Sequence, residues 1–324
     1  MVTIGVLGGA EIASRMFLPA LLQNNNFICA GVASKNPEKR QRFAADFQIP
    51  LYNNYEDLIN FPEIDALYIP LPPALHYQWA KQALEQGKHV FLEKPATVSI
   101  TQTQELVQLA AKRKLALQEN YMFQYHSQLE EIQKLLASGV IGEIRVIKSS
   151  FGFPLREADD FRYQKTLGGG ALLDAGGYVV KLAALLLGNS VKVKTACLNS
   201  WGNYDVDMFG SVTLENSDGM VFQGSFGMDC YYQCSLEIWG SKGKIYTNRI
   251  FTAPPTFAPK IDIETTNGLQ ELAFQPDNHF AKSIQMYYNA IREDNVREKM
   301  YEDMLLQANL IEHVEKFNSN ECVL

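Results

Sequence analysis

In the first third of the chain, short apolar runs alternate with segments of helical period. Residues 3–7, 27–33 and 66–70 are near-continuous hydrophobic runs of strand length, whereas residues 12–24, 37–47 and 76–87 repeat apolar positions every three or four residues. Another run, from Gly87-Lys88-His89-Val90, closes on Phe91-Leu92-Glu93-Lys94-Pro95, and a helix at 100–114 and a short strand at 115–119 follow. Alternation at this period predicts a parallel, doubly wound sheet. After residue 120 the rhythm changes. Helices are predicted at 127–138 and 171–187 around a long strand at 142–154. Strand signals then dominate at 192–200, 207–215, 220–228, 234–240, 243–248, 260–265 and 270–274. Ser217-Asp218-Gly219 and Ser241-Lys242-Gly243 punctuate them as turns. Helices at 278–292 and 298–317 end the chain. The expected fold is α/β in two domains: a doubly wound domain over residues 1–120, and over residues 121–324 an α+β domain with a large, mainly antiparallel sheet, its C-terminal helix free to pack back on the first domain.

Charge narrows the function classes. Lys and Arg number 29 against 36 Asp and Glu, a net charge of −7, and no block of five or six basic residues occurs, which argues against a general nucleic-acid or anionic-membrane surface. Apolar runs such as 183–187 and 66–71 fall short of the roughly 18 residues a membrane span needs. The N-terminus enters a strand without a basic lead or cleavage site, so a cytoplasmic location is expected. Cys29, Cys197, Cys230, Cys234 and Cys322 are sparse and odd in number, as reduced thiols would be. No metal site is expected, because Cys230 and Cys234 would sit about 13 Å apart on one strand without nearby histidines.

Two places carry candidate cofactor chemistry. Gly8-Gly9-Ala10-Glu11-Ile12-Ala13 lies between the first strand and the first helix, where small residues allow a tight turn and close approach of a pyrophosphate to the backbone. Ala10 replaces the second glycine of the usual dinucleotide fingerprint, and Ala13 takes the third small position. The second strand ends in Ser34-Lys35-Asn36, with Lys39 and Arg40 one turn on. An NAD-specific protein would present Asp or Glu there to the ribose diol; a hydroxyl beside cations suits a 2′-phosphate and predicts NADP(H) over NAD(H).

These residues, in this order and spacing, resemble the Gfo/Idh/MocA family of NAD(P)-dependent oxidoreductases. The fingerprint, Leu71-Pro72 with His76, and Glu93-Lys94-Pro95 carry the likeness, together with Gly168-Gly169-Gly170-Ala171-Leu172-Leu173-Asp174-Ala175-Gly176-Gly177-Tyr178. Within the family the chain looks most like the sugar-nucleotide C-3 ketoreductases of deoxysugar biosynthesis, through Leu18-Pro19-Ala20, Pro70 to His76, the stretch from Leu236 to Gly243, and Phe251-Thr252-Ala253-Pro254-Pro255. Pro73 departs from the Asn of many other members. The resemblance implies an N-terminal Rossmann domain, and implies that Gly8, Gly9, Ala10, Glu11, Ile12, Ser34, Lys35, Arg40, Leu71, Pro72, His76, Glu93, Lys94 and Asn120 border the cofactor.

Reduction of a ketone needs a hydride, a proton for the developing alkoxide, and positive charge to stabilise it. Asp174 and Tyr178 are four apart on a predicted helix and so share a face. Tyr178 is the expected proton donor, a role the resemblance also implies. Lys94, at a strand end, is expected to hold the substrate oxygen or the cofactor ribose and to favour tyrosinate. Asp174 is expected to orient substrate or Lys94. Asn120 is a candidate for touching nicotinamide or substrate, or else a plain strand-end cap. Arg162 is a candidate for a substrate or cofactor phosphate, or else a local salt bridge with Asp159 or Asp160. His76 is expected to line the cofactor groove, and the other histidines to be structural.

The sequence therefore predicts an NADP-dependent reductase of a keto-sugar, with nucleotide-linked sugars among the candidate substrates. A dehydrogenase of free sugars, polyols or dihydrodiols is the second enzymatic reading, and a cofactor-binding sensor the third. Aromatics at Phe222, Phe226, Tyr231, Tyr232 and Trp239 suggest a homo-oligomer, dimer or tetramer, formed through the second sheet, with core packing as the competing explanation.

Overall fold

Six parallel strands, Val2–Leu7 (β1), Phe27–Ala33 (β2), Leu51–Tyr52 (β3), Ala66–Ile69 (β4), His89–Glu93 (β5) and Leu117–Asn120 (β6), pair in the order β3-β2-β1-β4-β5-β6. In this computed structural model residues 1–320 are described, and Cys322 lies outside the described residues. The chain runs outward from β1 to β2 and β3, then returns to place β4 on the other side of β1, with Ile4 opposite Ala66 and Val6 opposite Tyr68. The carboxyl ends of β1 and β4 thus flank the point where strand order reverses, the usual ligand crevice of a doubly wound sheet. Both faces of the sheet are covered. On one, Leu67, Ile69, Trp79, Leu92 and Leu106 pack together; on the other, Phe17 stacks on Tyr68 at 3.6 Å and Tyr287 on Phe91 at 4.9 Å. Residues Phe280–Leu305 belong with Met1–Asn120 in this compact unit, so part of the C-terminal helices joins it. Two pieces escaped the pattern of apolar residues: the two-residue β3 and the short helix Tyr55–Ile59, both too brief to show a period.

The second unit, Tyr121–His279 with residues 306 onward, is built on eight strands. They are Ile144–Gly152 (β7), Lys192–Asn199 (β8), Phe209–Glu215 (β9), Val221–Gly227 (β10), Gln233–Gly240 (β11), Gly243–Thr247 (β12), Lys260–Thr265 (β13) and Gly268–Ala273 (β14), ordered β14-β13-β12-β11-β7-β10-β9-β8. The sheet is mainly antiparallel but mixed, because β7 and β10 run parallel at its centre. Helix Gly177–Leu187 lies on its inner face. A Cβ on Gly224 would sit 2.3 Å from Val179, so the strand needs glycine there to let the helix approach.

Strand alternation corrects the reading of the aromatics. Phe222 and Phe226 share the inward face and are buried, so they are core; Trp239 points outward, with Lys148 Nζ 3.7 Å from its ring centre, and Tyr231 is exposed in a turn. The open face around Ser150, Ser211, Ser225 and Gln233 forms a groove of about 380 Å³. The expectation about membrane spans also changes. Lys165–Leu187 is long and apolar enough to cross a membrane by length and composition, and 78% of its most apolar window is buried within the protein, as a core helix would be.

Candidate active site

In the first unit the fingerprint turn is held open by glycine. Gly8 has φ 127°, and a Cβ there would lie 2.8 Å from Leu71 Cδ2; one on Gly9 would lie 2.9 Å from Lys39 Cβ and 3.2 Å from Ser34 Oγ. The turn therefore packs closely against the loop after β4 and the start of helix Pro37–Phe47, and its half-exposed part, Gly9-Ala10, is the cradle that suits a pyrophosphate. Its helix opens with a wide turn at Ala13–Phe17 before continuing as Leu18–Leu21. Glu11, at the mouth, is exposed and faces Arg15 at 4.0 Å.

At the end of β2, Ser34 is buried and its Oγ accepts from the Asn36 amide at 3.3 Å, while Arg40 donates through Nη1 to the Ser34 carbonyl. Asn36 caps the following helix by accepting from the Lys39 amide at 3.1 Å. Ser34, Lys39 and Arg40 thus gather beside Gly9. Lys35 turns elsewhere, its Nζ 5.3 Å from the Tyr55 ring centre and 5.7 Å from that of Trp79. Lys39, named with Arg40 as a cation one turn beyond Ser34, lies with its Cβ against the Gly9 turn.

Several residues expected at the cofactor are also bound into the strand ends that surround it. His76 is fully buried, with Nδ1 2.9 Å from the Pro95 carbonyl and Nε2 2.7 Å from that of Leu71. Burial lowers its pKa to about 4 against the pull of these carbonyls; a neutral ring between the loops after β4 and β5 carries a single N–H and donates to one of the two carbonyls, while its other edge packs against the second loop. Leu71 and Pro72, partly exposed, form the first of those loops, and Pro72 opens helix Pro73–Glu85. Asn120 is fully buried as well: its Nδ2 donates to Glu93 Oε1 at 2.7 Å and its Oδ1 accepts from Ser283 at 2.8 Å. Tyr68 donates to the same Glu93 oxygen at 2.7 Å. Burial raises the Glu93 carboxyl above its ordinary value, although the Asn120 and Tyr68 hydrogen bonds and Lys94 pull it back. Neighbouring Lys94 is partly exposed at the strand end, before a cis peptide to Pro95.

In the second unit the triple glycine feeds a wide helical turn, Leu172–Gly176, that runs directly into Gly177–Leu187. The wide turn alters the simple four-residue spacing of Asp174 and Tyr178, and such insertions often mark functional sites. Gly168 takes a positive φ of 79°, and the next glycines answer close approaches: a Cβ on Gly169 would lie 2.4 Å from the Arg162 carbonyl, one on Gly170 2.3 Å from Asp207 Oδ1, and one on Gly177 2.2 Å from the Tyr121 hydroxyl. Asp207 caps the turn, accepting at 2.6 Å from the Leu172 amide through Oδ2, while its backbone carbonyl accepts from Ala171 at 2.7 Å. Nothing local in the sequence marks this cap, which comes from a loop more than thirty residues downstream.

Tyr178 sits in an aromatic cage. Tyr121, Phe151 and Phe251 surround its ring at 5.2, 5.1 and 5.8 Å, and its hydroxyl reaches Met122 Sδ at 3.6 Å. Asp174 is bound to Arg162, whose Nε donates to Oδ2 at 2.7 Å, and Arg162 Nη1 also meets Asp160 at 3.1 Å. Coulombic attraction from the two carboxylates outweighs burial and raises the Arg162 pKa further above its already high value. The guanidinium is thus committed to carboxylates, as the salt-bridge reading had it, though the partners are Asp160 and Asp174 and not Asp159. Among the described residues no cluster of three or more His, Cys, Asp or Glu side chains could hold a metal.

Comparison with known proteins agrees with this architecture. Residues 2–121 match the model of an oxidoreductase family with an NAD-binding Rossmann fold, and residues 129–246 match that of the Gfo/Idh/MocA C-terminal domain. A dTDP-3,4-didehydro-2,6-dideoxy-alpha-D-glucose 3-reductase from Saccharopolyspora spinosa is 38% identical over 97% of this chain and 96% of its own. One of the same name from Actinomadura kijaniata is 37% identical over 97% and 94%. A solved 3-ketoreductase from Actinomadura kijaniata, in complex with NADP and TDP-benzene, superposes with a TM-score of 0.94 at 36% identity over 97% of both chains. The chain is a member of the Gfo/Idh/MocA family of NAD(P)-dependent oxidoreductases.

Proposed function

We propose that the protein reduces the ketone of a nucleotide-linked keto-sugar with NADPH. The observation that carries this reading is the end-to-end likeness to enzymes named as sugar-nucleotide 3-reductases, together with Lys94 and Tyr178 standing at the family's motif positions. The cofactor residues fit. Gly8 makes the tight turn and the half-exposed Gly9-Ala10 stretch faces a pyrophosphate, and Ser34, Lys39 and Arg40 offer a hydroxyl and two cations to a 2′-phosphate, with no acidic side chain at the end of β2.

When bound, NADPH supplies the hydride that reaches the carbonyl carbon, and the carbonyl oxygen then gathers negative charge. Tyr178 gives its phenolic proton to that oxygen. Lys94 stabilises the charge on the oxygen and on the tyrosinate left behind. Asp174, fixed by Arg162, orients substrate and transfers no proton. Glu93, Asn120 and His76 hold the strand ends that present Lys94. In the same reading, copies of the protein associate through the open face of the second sheet, where Phe209, Trp239 and Tyr246 are exposed; light scattering returning a monomer mass at micromolar concentration would remove that part.

The test is NADPH oxidation, followed at 340 nm, across a panel of nucleoside-diphosphate keto-sugars and free sugars or polyols. Turnover of the nucleotide-linked ketones is expected. Oxidation of free sugars or diols alone would replace this reading by a dehydrogenase, and cofactor binding without turnover on any of them by a sensor.

A further inference from the structure

The geometry points to a diphosphate clamp beside the Tyr178 cage, formed by Arg249, Tyr232 and Thr252. It rests on the proposed reduction of a nucleotide-linked sugar and names the substrate handle: the pyrophosphate of a nucleoside-diphosphate sugar. Phe251, one wall of the cage, packs on both Tyr178 and Phe151, and Arg249 lies two residues before it. The guanidinium carbon of Arg249 sits 4.7 Å from the Tyr232 ring centre and 5.5 Å from that of Phe257. Its Nη1 donates to the Tyr232 hydroxyl at 2.8 Å, and that hydroxyl shares a hydrogen bond with Thr252 Oγ1 at 2.8 Å. The backbone is pinned as well. Gln128 Nε2 donates to the Arg249 carbonyl at 2.9 Å, and the Phe251 amide to Cys234 Sγ at 3.3 Å.

Of the half-buried arginines, Arg249 and Arg40 have no carboxylate partner among the described residues, and Arg40 already stands beside the cofactor cradle. Arg162, in the same unit, is bound by two carboxylates and has little left for a ligand. Arg249 makes no ion pair with any described residue, although the chain carries a net charge of −7. Holding a half-buried guanidinium without an anion forgoes most of the energy such a group can return. Aromatic rings near its faces leave the in-plane edge, with its remaining N–H groups, for a doubly hydrogen-bonding anion. Phosphate oxygens match that fork. The clamp also accounts for Phe251-Thr252-Ala253-Pro254-Pro255, a segment the sequence singled out and the catalytic groups do not use. With the diphosphate on Arg249, the sugar is carried toward Tyr178 on the other side of Phe251.

The test is calorimetric titration of thymidine diphosphate into NADPH-saturated enzyme, for the wild type, Arg249→Met and Arg249→Lys. Losing a charge-assisted, doubly hydrogen-bonded contact should weaken nucleotide binding by about 10- to 100-fold in Arg249→Met, with partial recovery in Arg249→Lys and NADPH affinity unchanged. In turnover, KM for the nucleotide-linked substrate should rise by more than kcat falls. Unchanged nucleotide affinity, a loss of NADPH affinity in place of nucleotide affinity, or no nucleotide binding by the wild type overturns the clamp. If Arg249→Met does not fold, the Lys variant decides alone, a drop of at least several-fold being required. Nucleotide binding that depends on Arg249 in an enzyme that reduces no keto-sugar would leave the clamp standing and remove the reductase reading.

Discussion

Asn120 Nδ2 donates to Glu93 Oε1 at 2.7 Å, which joins the ends of β5 and β6 directly beside Lys94. Tyr68 donates to the same oxygen from β4, so one carboxylate gathers three neighbouring strand ends. Removing it strands two buried donors. Glu93→Ala should cost roughly 2–4 kcal/mol of stability and lower kcat as Lys94 loses its support. Glu93→Gln keeps an acceptor oxygen and should lose far less of both. Urea unfolding midpoints beside kcat for the two variants check this, and equal losses would show that Glu93 acts by its charge and not by holding the strand ends.

Tyr178→Phe removes one oxygen from a ring whose packing on Tyr121, Phe151 and Phe251 is unaffected. Folding should survive, since the ring and its aromatic packing are kept and the hydroxyl's contact with Met122 is to a thioether, a weak acceptor. Turnover should drop by about 10²–10⁴-fold, the worth of a positioned general acid. A variant with near wild-type kcat would move the proton donor elsewhere.

Cofactor choice should be movable at the end of β2. Ser34→Asp puts a carboxylate where Arg40 and Lys39 converge, repelling a 2′-phosphate and accepting from a ribose diol. The ratio of kcat/KM for NADPH over NADH should fall by at least tenfold. Lys35→Ala should change it much less, because Lys35 rests against Tyr55 and Trp79. Initial rates at varied cofactor give both numbers, and a larger effect at Lys35 would reverse the assignment.

The helix carrying Tyr178 begins on an acceptor supplied from far along the chain. Asp207→Ala leaves the Leu172 amide without its partner and should cost about 1–2 kcal/mol, as lost helix caps do. Asp207→Asn keeps an oxygen in place and should lose less. Because the cap sits at the wide turn, kcat should fall with stability in the Ala variant. Thermal melts paired with kcat test the link, and a melting loss without any kcat loss would confine Asp207 to stability.

How much of this was legible in the sequence depends on the distance over which each feature is set. β2, helix Pro37–Phe47 and β13 coincide with their sequence boundaries because hydrophobic period and capping residues act locally. The family motifs also led to the cradle at Gly8 and Gly9. Burial is not local. Nothing in the residues around His76 or Asn120 says that their side chains turn inward, to the Pro95 carbonyl or to Ser283 on a helix from the other end of the chain. The parallel pairing of β7 with β10 was hidden for the same reason, since hairpin turns announce antiparallel neighbours and crossovers do not. Phe222 and Phe226 were legible in principle: strand alternation puts both on one face, and only the choice of face awaited the helix that covers it.

Fully buried His76 and half-buried His89 make stability depend on pH with a definite sign. His76 and His89 both titrate at about 4 in the folded protein, chiefly through burial, against an ordinary 6.5. Both are therefore neutral when folded, and between those values the unfolded chain binds protons that the folded chain refuses. The contribution of these two histidines should be level above pH 7 and fall as pH drops from 6.5 toward 4. A gap of about 2.5 units corresponds to roughly 3 kcal/mol for each fully expressed site. Glu93, raised by burial, works in the opposite direction, but only near and above the ordinary carboxylate value, where its charged form is penalised. His89→Gln keeps an acceptor for the Ala116 amide that His89 Nδ1 now takes at 2.8 Å, so it should fold and show a shallower decline. Urea midpoints at half-unit steps from pH 7.5 to 4.5 measure both proteins. Parallel curves would mean that His89 is protonated in the folded state and that the acid sensitivity arises elsewhere.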